Sequence, residues 1–599
     1  MRNPVTILNT LKSNSNKEPY RFRRLHRLFY NRKMFLLAYN NIYSSQGNMT
    51  PGIDGRTIDQ MTLDRLDTLI TKLKSKEYKP TPVMRKYIPK KNGKLRTLGI
   101  PCIEDKLVQE VIRMTLESVW EDTFYKSSHG FRDGKSCHTA LLAIKETFTG
   151  SKWFIEGDIK TFFDNIDHEV LVSILRRRID DEYFIQIIVK FLKAGYMEYG
   201  ANHISYSGTA QGSLISPILS NIYLNEFDAF IKSYSESFNK GKTRKRNPEY
   251  HRLDARKQHW VSKLRNTNPN SDEYSHIKNE IKQLSKTLLN SPHSDPIDEN
   301  YRRMVYVRYA DDFLVGIIGS KADAYRAKAD FKNFMNNQLK LELSEEKTLI
   351  THSAKRVRFL GYDIRVIRNN NLRKDKTGRI SRRYNGIVKL YLPTEIWKKK
   401  LLELSVMHIQ KSSSKTTETW RPNSRNQLIN NKDENIIKQF NSEVRGLYNY
   451  YQLACNVSYG MHKFNYFMYY SCLRTLAKKH RCRMKAIRIK FDVEGYFKVG
   501  NTFYYHEGFH TKKFKFKDIY KDLDIITKYK YPFGKYSPAF RVKSGYCELC
   551  GASHVRIVMH HVRTLKGLSP DTPWNKLMLK MYRKSIALCD YCNKSVLSS

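Results

Sequence analysis

The amino-acid sequence predicts a multidomain protein of the α+β class, and three observations support this prediction. The chain has 599 residues, which is too long for a single hydrophobic core. Strand-like and helix-like patterns follow one another irregularly through its first two thirds. Two Cys-x-x-Cys pairs lie near its C-terminus. We therefore expect about three to five domains, of which the last is small.

Positive charge dominates the composition. Lys and Arg number 107 against 58 Asp and Glu, and the resulting net charge of +49 is spread along the whole chain. Such an excess predicts a polyanionic partner, and nucleic acid is the usual one. No apolar run approaches the ~18–20 residues of a membrane span, and the N-terminus lacks the pattern of a secretory signal. The sequence therefore predicts a cytoplasmic protein with no membrane partner.

The first half of the chain mixes helices and strands. Residues 1–75 are helix-rich by pattern, and RKYIPKKNGKLRTLGIP has strand-like runs around Lys-Asn-Gly-Lys, which predicts a β-hairpin. Residues 105–120 have apolar side chains at helical spacing. The stretch KWFIEGDIKTFF is typical of a strand, in which Phe162 and Phe163 would face opposite sides.

The rest of the chain is more polar. Residues 232–300 are almost wholly polar and predict a charged helical insertion. Residues 369–383 form a basic, glycine-containing stretch that predicts a linker. Residues 390–482 have helical patterns, and residues 483–542 are basic and aromatic without a clear period.

Two adjacent aspartates, Asp311 and Asp312, interrupt the apolar run YVRYADDFLVGI, and Asp158 ends a similar run. Burying these carboxylates costs free energy unless a cation neutralises them. If the two strands pair, three carboxylates meet, which suits Mg²⁺. Two such ions about 4 Å apart favour in-line displacement at phosphorus. The alternative is a solvent-facing pair of aspartates at a hairpin turn.

Seven blocks of the sequence resemble, in order, those of group II intron-encoded reverse transcriptase/maturases, in particular the bacterial kind with a C-terminal endonuclease domain. The blocks are RKYIPKKNGKLRTLGIP, SSHGFRDGKSCHTAL, EGDIKTFFDNIDH, GTAQGSLISPILSNIYL, RYADDFLVGI, LSEEKTLIT and FLGYDI. The later stretch RGLYNYYQLA resembles the maturase domain of that family. The likeness covers nearly the whole chain.

The resemblance implies a right-hand polymerase with further domains after it. Fingers and palm would occupy residues 1–368, and an α-helical thumb or maturase domain residues 385–482. A DNA-binding region would follow in residues 483–542. Residues 543–599 would form a small zinc-binding ββα-type module that is similar to HNH endonucleases.

The resemblance also implies which residues form the polymerase site. Asp158 and Asp311 would hold two Mg²⁺ ions, with Asp312 at the same site and the Ile159 carbonyl as a further ligand.

Five residues match family positions that contact the incoming nucleotide. Lys90 and Arg96 would grip the triphosphate of a dNTP. Phe163 would act as a steric gate against a ribose 2′-hydroxyl, Gln211 would line the nucleotide pocket, and Lys347 would neutralise or protonate the leaving pyrophosphate. The alternatives are ordinary hairpin solvation for the first two, core packing for Phe163 and an inert surface position for Lys347.

The RGLYNYYQLA stretch resembles the part of maturases that binds intron RNA. Arg445, Tyr448, Asn449 and Tyr451 are the residues that the resemblance assigns to that contact, since arginine and tyrosine suit phosphates and bases. The alternative is that the tyrosines of this stretch form the apolar stripe of a packed helix.

The C-terminal cysteines predict a metal site. Cys547, Cys550, Cys589 and Cys592 form two Cys-x-x-Cys pairs separated by 38 residues. Four thiolates at this spacing are typical of a closed tetrahedral Zn²⁺ site. Such a metal would also stabilise a domain too short to bury a large core.

His560 and His561 lie between the cysteine pairs and resemble the start of an HNH nuclease motif. In that family the first histidine ligates a divalent ion and the second deprotonates water. The family also supplies further histidines just after the last cysteine pair, where this chain has Asn593 and no histidine beyond it. Without those ligands the catalytic ion would be held weakly, which argues against cleavage and leaves the zinc scaffold and DNA binding in place.

The resemblance thus implies an RNA-directed DNA polymerase and maturase. It would bind its group II intron RNA to assist splicing and copy that RNA, using dNTPs, at a DNA target during retrohoming. Two alternatives remain: an RNA-binding splicing scaffold with an idle polymerase site, and a retron-type or defence-type reverse transcriptase. The sequence leaves the oligomeric state open, a homodimer included.

Overall fold

The computed structural model describes most of the chain. The described residues are 3–17, 19–43, 47–89, 93, 95–198, 201–203, 207–209, 211–295, 298–368, 373–374, 378, 380–381, 386–411, 418–512, 534 and 536–598. Lys90, which the resemblance assigns to triphosphate binding, and most of the predicted linker 369–383 lie outside them.

Helices account for most of the regular structure. The α-helices, in chain order, are α1 (Pro4–Ser15), α2 (Arg32–Tyr43), α3 (Leu63–Lys74), α4 (Ile103–Trp120), α5 (Cys137–Thr147), α6 (Phe162–Asn165), α7 (His168–Arg178), α8 (Glu182–Lys193), α9 (Ser216–Phe238), α10 (Pro248–Arg265), α11 (Asp272–Asn290), α12 (Lys321–Leu339), α13 (Thr394–Glu403), α14 (Asp433–Tyr451), α15 (Val457–Lys479), α16 (Met484–Lys490), α17 (Pro538–Lys543), α18 (Pro573–Lys580) and α19 (Asp590–Leu597).

The strands are short and form several small sheets. They are β1 (Val83–Pro89), β2 (Leu95–Ile100), β3 (Trp153–Gly157), β4 (Tyr196–Glu198), β5 (Ala201–His203), β6 (Arg303–Tyr309), β7 (Asp312–Ile318), β8 (Ile350–His352), β9 (Val357–Phe359), β10 (Tyr362–Val366), β11 (Arg373–Lys374), β12 (Ile380–Ser381), β13 (Val388–Tyr391), β14 (Met407–Lys411), β15 (Glu418–Pro422), β16 (Asp492–Val493), β17 (Tyr496–Val499), β18 (Thr502–Phe503), β19 (Ile557–His561) and β20 (Ser585–Cys589).

A four-stranded antiparallel sheet with the order β6-β7-β3-β8 forms the centre of the first half. Its central strands β3 and β7 are mostly buried and apolar, and helices pack on the sheet, α12 against β3 and α9 against β6. Gly157 on β3 faces Phe313 on β7, and a Cβ at this glycine would lie about 2.0 Å from the phenyl ring. Glycine therefore lets the ends of the two strands approach each other closely.

The predicted β-hairpin is confirmed. Strands β1 and β2 pair in antiparallel register from Met84 opposite Ile100 to Pro89 opposite Leu95, and parallel β4 extends the sheet on the other side of β1. The predicted helix over residues 105–120 is likewise confirmed as α4, which begins two residues earlier.

Two predicted boundaries are wrong. The strand predicted over KWFIEGDIKTFF ends at Gly157, because Thr161 adopts a left-handed conformation (φ 43°) and starts the single turn α6. Phe162 is buried and Phe163 half-buried as members of that turn, not as opposite faces of a strand. The charged insertion begins after residue 238, since residues 232–238 continue α9. Its two helices, α10 and α11, pack as an antiparallel pair.

Two hydrophobic cores organise the molecule. One joins the N-terminal helices and the sheet of β3 and β7 to the residues that follow Ser537. The other joins β9, β10 and β13 to helices α13 to α16, and it includes Phe497, Tyr504 and Phe509. The C-terminal module therefore packs on the N-terminal helices. Within the described part of the chain, no helix combines the length and the apolar character that a membrane crossing requires.

Candidate active site and cysteine cluster

The central sheet brings three predicted carboxylates to one edge. Asp158 directly follows β3, Asp312 opens β7, and Asp311 lies in the turn between β6 and β7. Since Gly157 pairs with Phe313, the antiparallel register continues to Asp158 opposite Asp312.

Strong mutual repulsion acts among these groups. Burial, and then the charges of Asp311 and Asp158, raise the pKa of Asp312 to about 7. The pKa of Asp311 is also raised, by burial and by Asp158. The ammonium of Lys347 lies 2.8 Å from an Asp158 carboxylate oxygen, and this hydrogen bond raises the lysine pKa. A cluster that prefers protons and attracts an ammonium group has the electrostatics of a cation site.

The backbone beside the carboxylates is anchored to the segment before β8. The Asp158 carbonyl accepts a hydrogen bond of 2.8 Å from the backbone N–H of Ser344. Ile159, whose carbonyl is the predicted further metal ligand, forms an antiparallel bridge with Leu343. Lys347 follows in the same segment, so one short stretch supplies both the backbone anchor and the neutralising ammonium.

The turn that carries Asp311 is held by a buried ion pair that the sequence reasoning missed. The guanidinium of Arg308 is 1% exposed and donates to both carboxylate oxygens of Asp228 at 2.5 and 2.8 Å. It also donates to the carbonyl of Ala310 at 3.0 Å, and Ala310 has the left-handed φ of 56° that closes the turn. The signal was a charged residue within an apolar strand.

The loop before α5 supports the same turn from the other side. The backbone of Arg308 accepts a hydrogen bond from His129 at 2.9 Å and donates one to Ser127 at 2.8 Å. A Cβ at Gly130 would lie 2.3 Å from the backbone nitrogen of Ala310, so only glycine permits this approach.

Three of the predicted nucleotide-contact residues belong to one connected region. The Arg96 guanidinium donates to the Gln211 side chain at 3.0 Å, and the Gln211 carbonyl accepts from Gly99 at 2.6 Å. The Phe163 carbonyl accepts from the backbone N–H of Thr209 at 2.6 Å. The strand β2 is thus tied to Gln211, and the turn α6 to Thr209.

The four predicted RNA-contact residues all lie on α14, two of them buried and two exposed. Tyr448 and Tyr451 are buried, and their hydroxyls donate to the carbonyls of His510 and Gly361 at 2.9 and 3.1 Å. Their predicted contact with RNA is therefore wrong for the rings, because packing removes them from solvent; the alternative of a packed stripe describes them. Arg445 and Asn449 are one helical turn apart and exposed.

An exposed aromatic row on α15 was not predicted. Tyr459 and Tyr466 are 63% and 54% exposed, and Lys463 lies between them with its ammonium 2.6 Å from the Tyr459 hydroxyl. The Tyr470 ring lies 4.7 Å from that of Tyr466. These positions recur at intervals of three and four residues, which places them on one helical face. The sequence signal was this spacing.

The four cysteines meet at one point. The sulfur atoms of Cys547, Cys550, Cys589 and Cys592 all lie within 4.8 Å of one another, and those of Cys550 and Cys589 are 3.8 Å apart. Four sulfurs at about 2.3 Å from a zinc ion would stand about 3.75 Å apart, so the cluster has the dimensions of such a site. Among the described residues it is the one set of three or more Cys, His, Asp or Glu side chains this compact.

The two predicted nuclease histidines are packed against the N-terminal part of the chain. His561 is 3% exposed; its Nε2 lies 3.2 Å from the Tyr39 hydroxyl and its Nδ1 lies 3.1 Å from the Met559 carbonyl. Burial lowers the pKa of His561 to about 4. The Nδ1 atom of His560 lies 3.3 Å from an Asp59 carboxylate oxygen.

Comparisons with known proteins agree on three consecutive regions. Residues 88–242 and 281–364 match the family described as reverse transcriptase (RNA-dependent DNA polymerase). Residues 389–539 match the type II intron maturase family, and residues 547–593 match the AI2M/AI1M-like HNH endonuclease family.

Individual relatives extend the similarity to the whole chain. The group II intron-encoded protein LtrA of Lactococcus lactis subsp. cremoris is 38% identical over 614 residues, which cover 100% of this chain and 99% of LtrA. The putative COX1/OXI3 intron 2 protein of Saccharomyces cerevisiae is 31% identical over 600 residues, covering 98% of this chain and 67% of that protein. The protein YkfC of Escherichia coli is 35% identical over 362 residues, covering 59% of this chain and 84% of YkfC.

Proposed function

Because this chain belongs to the family of group II intron-encoded reverse transcriptase/maturases, we propose that Asp158, Asp311 and the Ile159 carbonyl hold two magnesium ions at its polymerase site. The chain is an RNA-directed DNA polymerase and a maturase of group II intron splicing and mobility. The similarity along its full length argues against the retron-type alternative. The observation that carries the proposal is the convergence of Asp158 and Asp312 at adjacent strand ends beside Asp311.

The donor set fits the proposed ions. Carboxylate and carbonyl oxygens are the ligands that Mg²⁺ prefers, and the raised pKa values of Asp311 and Asp312 express a shortage of positive charge. When bound, the ions would supply the charge that stabilises in-line displacement at phosphorus. Lys347 would release Asp158 and turn to the leaving pyrophosphate, since its exposed side chain can follow the charge.

The residues around the nucleotide would position it. We assign Arg96 to the triphosphate of a dNTP, because an exposed guanidinium near Asp311 offers paired donors to phosphate oxygens. Gln211, which already accepts from Arg96, would keep that guanidinium in place. Lys90 keeps its assignment from the resemblance.

Phe163 would select deoxynucleotides. Its half-buried ring sits on a turn whose backbone is tied to residue 209, so it cannot easily retreat from a ribose 2′-hydroxyl. Replacing Phe163 by Val should narrow the preference for dNTPs over rNTPs by roughly 10- to 100-fold, the range of a pocket-filling contact. Single-nucleotide insertion on an RNA template measures this ratio. An unchanged ratio would assign Phe163 to packing.

Intron RNA would bind the exposed side of the thumb. Arg445 and Asn449 on α14, and the row of Tyr459, Lys463 and Tyr466 on α15, present cations and open rings to solvent. Arginine and lysine neutralise phosphates, and exposed rings stack on unpaired bases. This assignment keeps the predicted partner and replaces the two buried tyrosines by residues that can reach it.

The four cysteines would hold a structural zinc ion, and the target DNA would meet the C-terminal part of the chain. We assign fingers and palm to residues 1–368, thumb to 385–482, a DNA-binding region to 483–542 and the zinc module to 543–599. The family matches end at residue 539 and resume at residue 547, which supports a boundary near residue 543. Four reduced thiols suit the cytoplasm, where we place the protein.

Primer extension on an RNA template with dNTPs and Mg²⁺ tests the polymerase site. Purified, RNA-free wild-type protein should extend the primer, and Asp311→Asn or Asp312→Asn should lower the rate by about a thousandfold or more, since the ions contribute several kcal/mol. Asp272→Asn, an exposed substitution on α11, is the matched control and should leave the rate unchanged. Failure of the wild type would indicate a splicing scaffold with an idle site.

A further inference from the structure

The strand that carries the two nuclease-type histidines is paired with a distant part of the chain. The backbone N–H of Gln60 donates to the Met559 carbonyl, and the N–H of Met559 donates to the Met61 carbonyl, both at 3.0 Å. Met61 and Met559 thereby form an antiparallel bridge. The turn that ends at Met61 is thus joined by backbone hydrogen bonds to the free side of β19, the strand that pairs with β20.

Side chains reinforce this backbone pairing. Asp59 accepts from the backbone N–H of His561 at 2.8 Å, and the amides of Gln60 and Asn593 exchange hydrogen bonds at 2.7 and 3.2 Å. Asn593 stands where the nuclease family supplies a metal-binding histidine. The position that would complete a catalytic metal site therefore holds an amide that pairs with residue 60.

Contacts within the N-terminal part of the chain fix the conformation of residues 58–62. Arg65 donates to the carbonyls of Thr57 and Asp59 at 3.4 and 3.2 Å, and Ile58 and Met61 are fully buried. Gln60 has a left-handed φ of 59°, which costs a non-glycine residue free energy and persists where the surroundings fix it. Exposed ion pairs at the rim, such as Arg556 with Asp64, add little to such a contact.

We propose that the C-terminal zinc module acts as an intramolecular clasp for the N-terminal segment of the polymerase. His561 serves as a buried contact of this clasp instead of a nuclease group, and the half-buried His560 lies beside Asp59. Both ring nitrogens of His561 face partners, so neither can take a proton from water. The proposed zinc ion would fix the end of β20 through Cys589. Strand β20 pairs with β19, and β19 is hydrogen-bonded to the segment that leads into α3. Disrupting the cysteine cluster should therefore increase hydrogen exchange in residues 58–66, which are far away in the sequence.

Hydrogen exchange of the full-length protein, followed by mass spectrometry, tests the clasp in both directions. Gln60→Pro removes the donating N–H and cannot adopt the positive φ, so residues 557–561 should exchange about tenfold faster or more. Gln60→Gly loses the side-chain hydrogen bonds to Asn593 but keeps the N–H and tolerates the positive φ, so it is the matched control for the backbone pairing and should keep most of that protection. Unchanged exchange of residues 557–561 in Gln60→Pro would overturn the proposal.

The reciprocal experiment disturbs the zinc cluster and observes the polymerase. Cys592→Ser should raise exchange in residues 58–66 by about tenfold or more, while α15, in the other hydrophobic core, keeps its protection. If Cys592→Ser affects only residues 546–597, the module is an independent domain and the clasp is refuted. This arm also decides the question if Gln60→Pro unfolds the whole chain.

Discussion

The four-stranded sheet β6-β7-β3-β8, the proposed palm, and the C-terminal module both carry motifs whose families use metal ions, but they expose different residues. In the palm, a buried pair, Arg308 with Asp228, braces the turn, and the three carboxylates remain at the open edge of the sheet. In the module, the motif residue His561 is itself the buried brace. A motif thus supports a reaction only where the fold leaves its reactive atoms accessible to a metal ion or a substrate.

The same distinction separates α14 from α15, the two long helices of the proposed thumb. On α14 the tyrosines that match the family pattern are buried, and their hydroxyls bond to backbone carbonyls. On α15 the tyrosines outside the pattern face solvent. In each region the buried member supports the structure, and the exposed member is available to a substrate.

The largest expected effect comes from breaking the brace of the palm. Arg308→Met removes the positive charge beside the buried Asp228 and leaves it only the Tyr306 hydroxyl as a donor, which should lower the free energy of unfolding by about 3–5 kcal/mol. Primer extension should fall with it, because the Ala310 carbonyl loses its donor. Thermal unfolding measures the first effect. Arg308→Met combined with Asp228→Leu is the control.

The double variant removes both charges and should recover most of the lost stability, since apolar replacement of a buried pair is often neutral. It should not recover the extension rate if the guanidinium positions the turn. Recovery of both quantities would show that Arg308 acts through stability alone. Such a result would weaken the contrast between the two regions, in which separate residues support the motif of the proposed palm while a motif residue itself supports the C-terminal module.

The next effect tests the exposed row of the thumb. Tyr459→Ala with Tyr466→Ala should weaken binding of intron RNA by roughly 30-fold or more, because each of two stacked bases contributes about 1–3 kcal/mol. Tyr582→Ala with Tyr591→Ala, two tyrosines of the C-terminal module that are even more exposed, is the control. Filter binding or fluorescence anisotropy at fixed salt measures the affinity. Equal losses in both pairs would mean that exposure alone does not identify the RNA surface.

Much of the palm and the cysteine cluster could be predicted from sequence because their signals are local. The apolar run that marks β6 and β7 lies within one short stretch, as does the spacing of Cys547 and Cys550. The direction of Tyr448 could not be predicted, since it depends on which side of α14 meets a partner. The pairing of Met61 with Met559 joins residues almost 500 apart, for which one sequence holds no signal.

A smaller effect is expected from the brace of the module. Tyr39→Phe removes the hydroxyl 3.2 Å from His561 Nε2 and leaves that nitrogen buried without a partner. The free energy of unfolding should fall by about 1–3 kcal/mol, the cost of an unsatisfied buried polar atom. The extension rate of the folded protein should not change. Tyr20→Phe, whose ring is exposed, is the control for thermal unfolding. Equal melting temperatures of Tyr39→Phe and the wild type would contradict a bracing role for His561.

The smallest expected effect is a pH dependence of stability that comes from His129. His129 is buried beside the palm turn with its Nδ1 2.8 Å from the Thr139 hydroxyl, and burial, followed by the charges of Lys135 and Arg132, lowers its pKa to about 3. The unfolded chain takes up a proton below about pH 6.5 while the folded chain does not, so stability falls as the pH drops through that value. At about pH 5.8 the loss from this residue should be about 1 kcal/mol.

His129→Gln isolates that contribution, because glutamine keeps a polar side chain next to Thr139 but does not titrate. Its melting temperature should fall less than that of the wild type between neutral pH and about pH 5.8. The remaining fall would then come from other groups, such as the buried histidine of the module. Identical pH dependence in the two proteins would mean that His129 is protonated in the folded state, and the palm turn would then rest on a charged group instead of a neutral one.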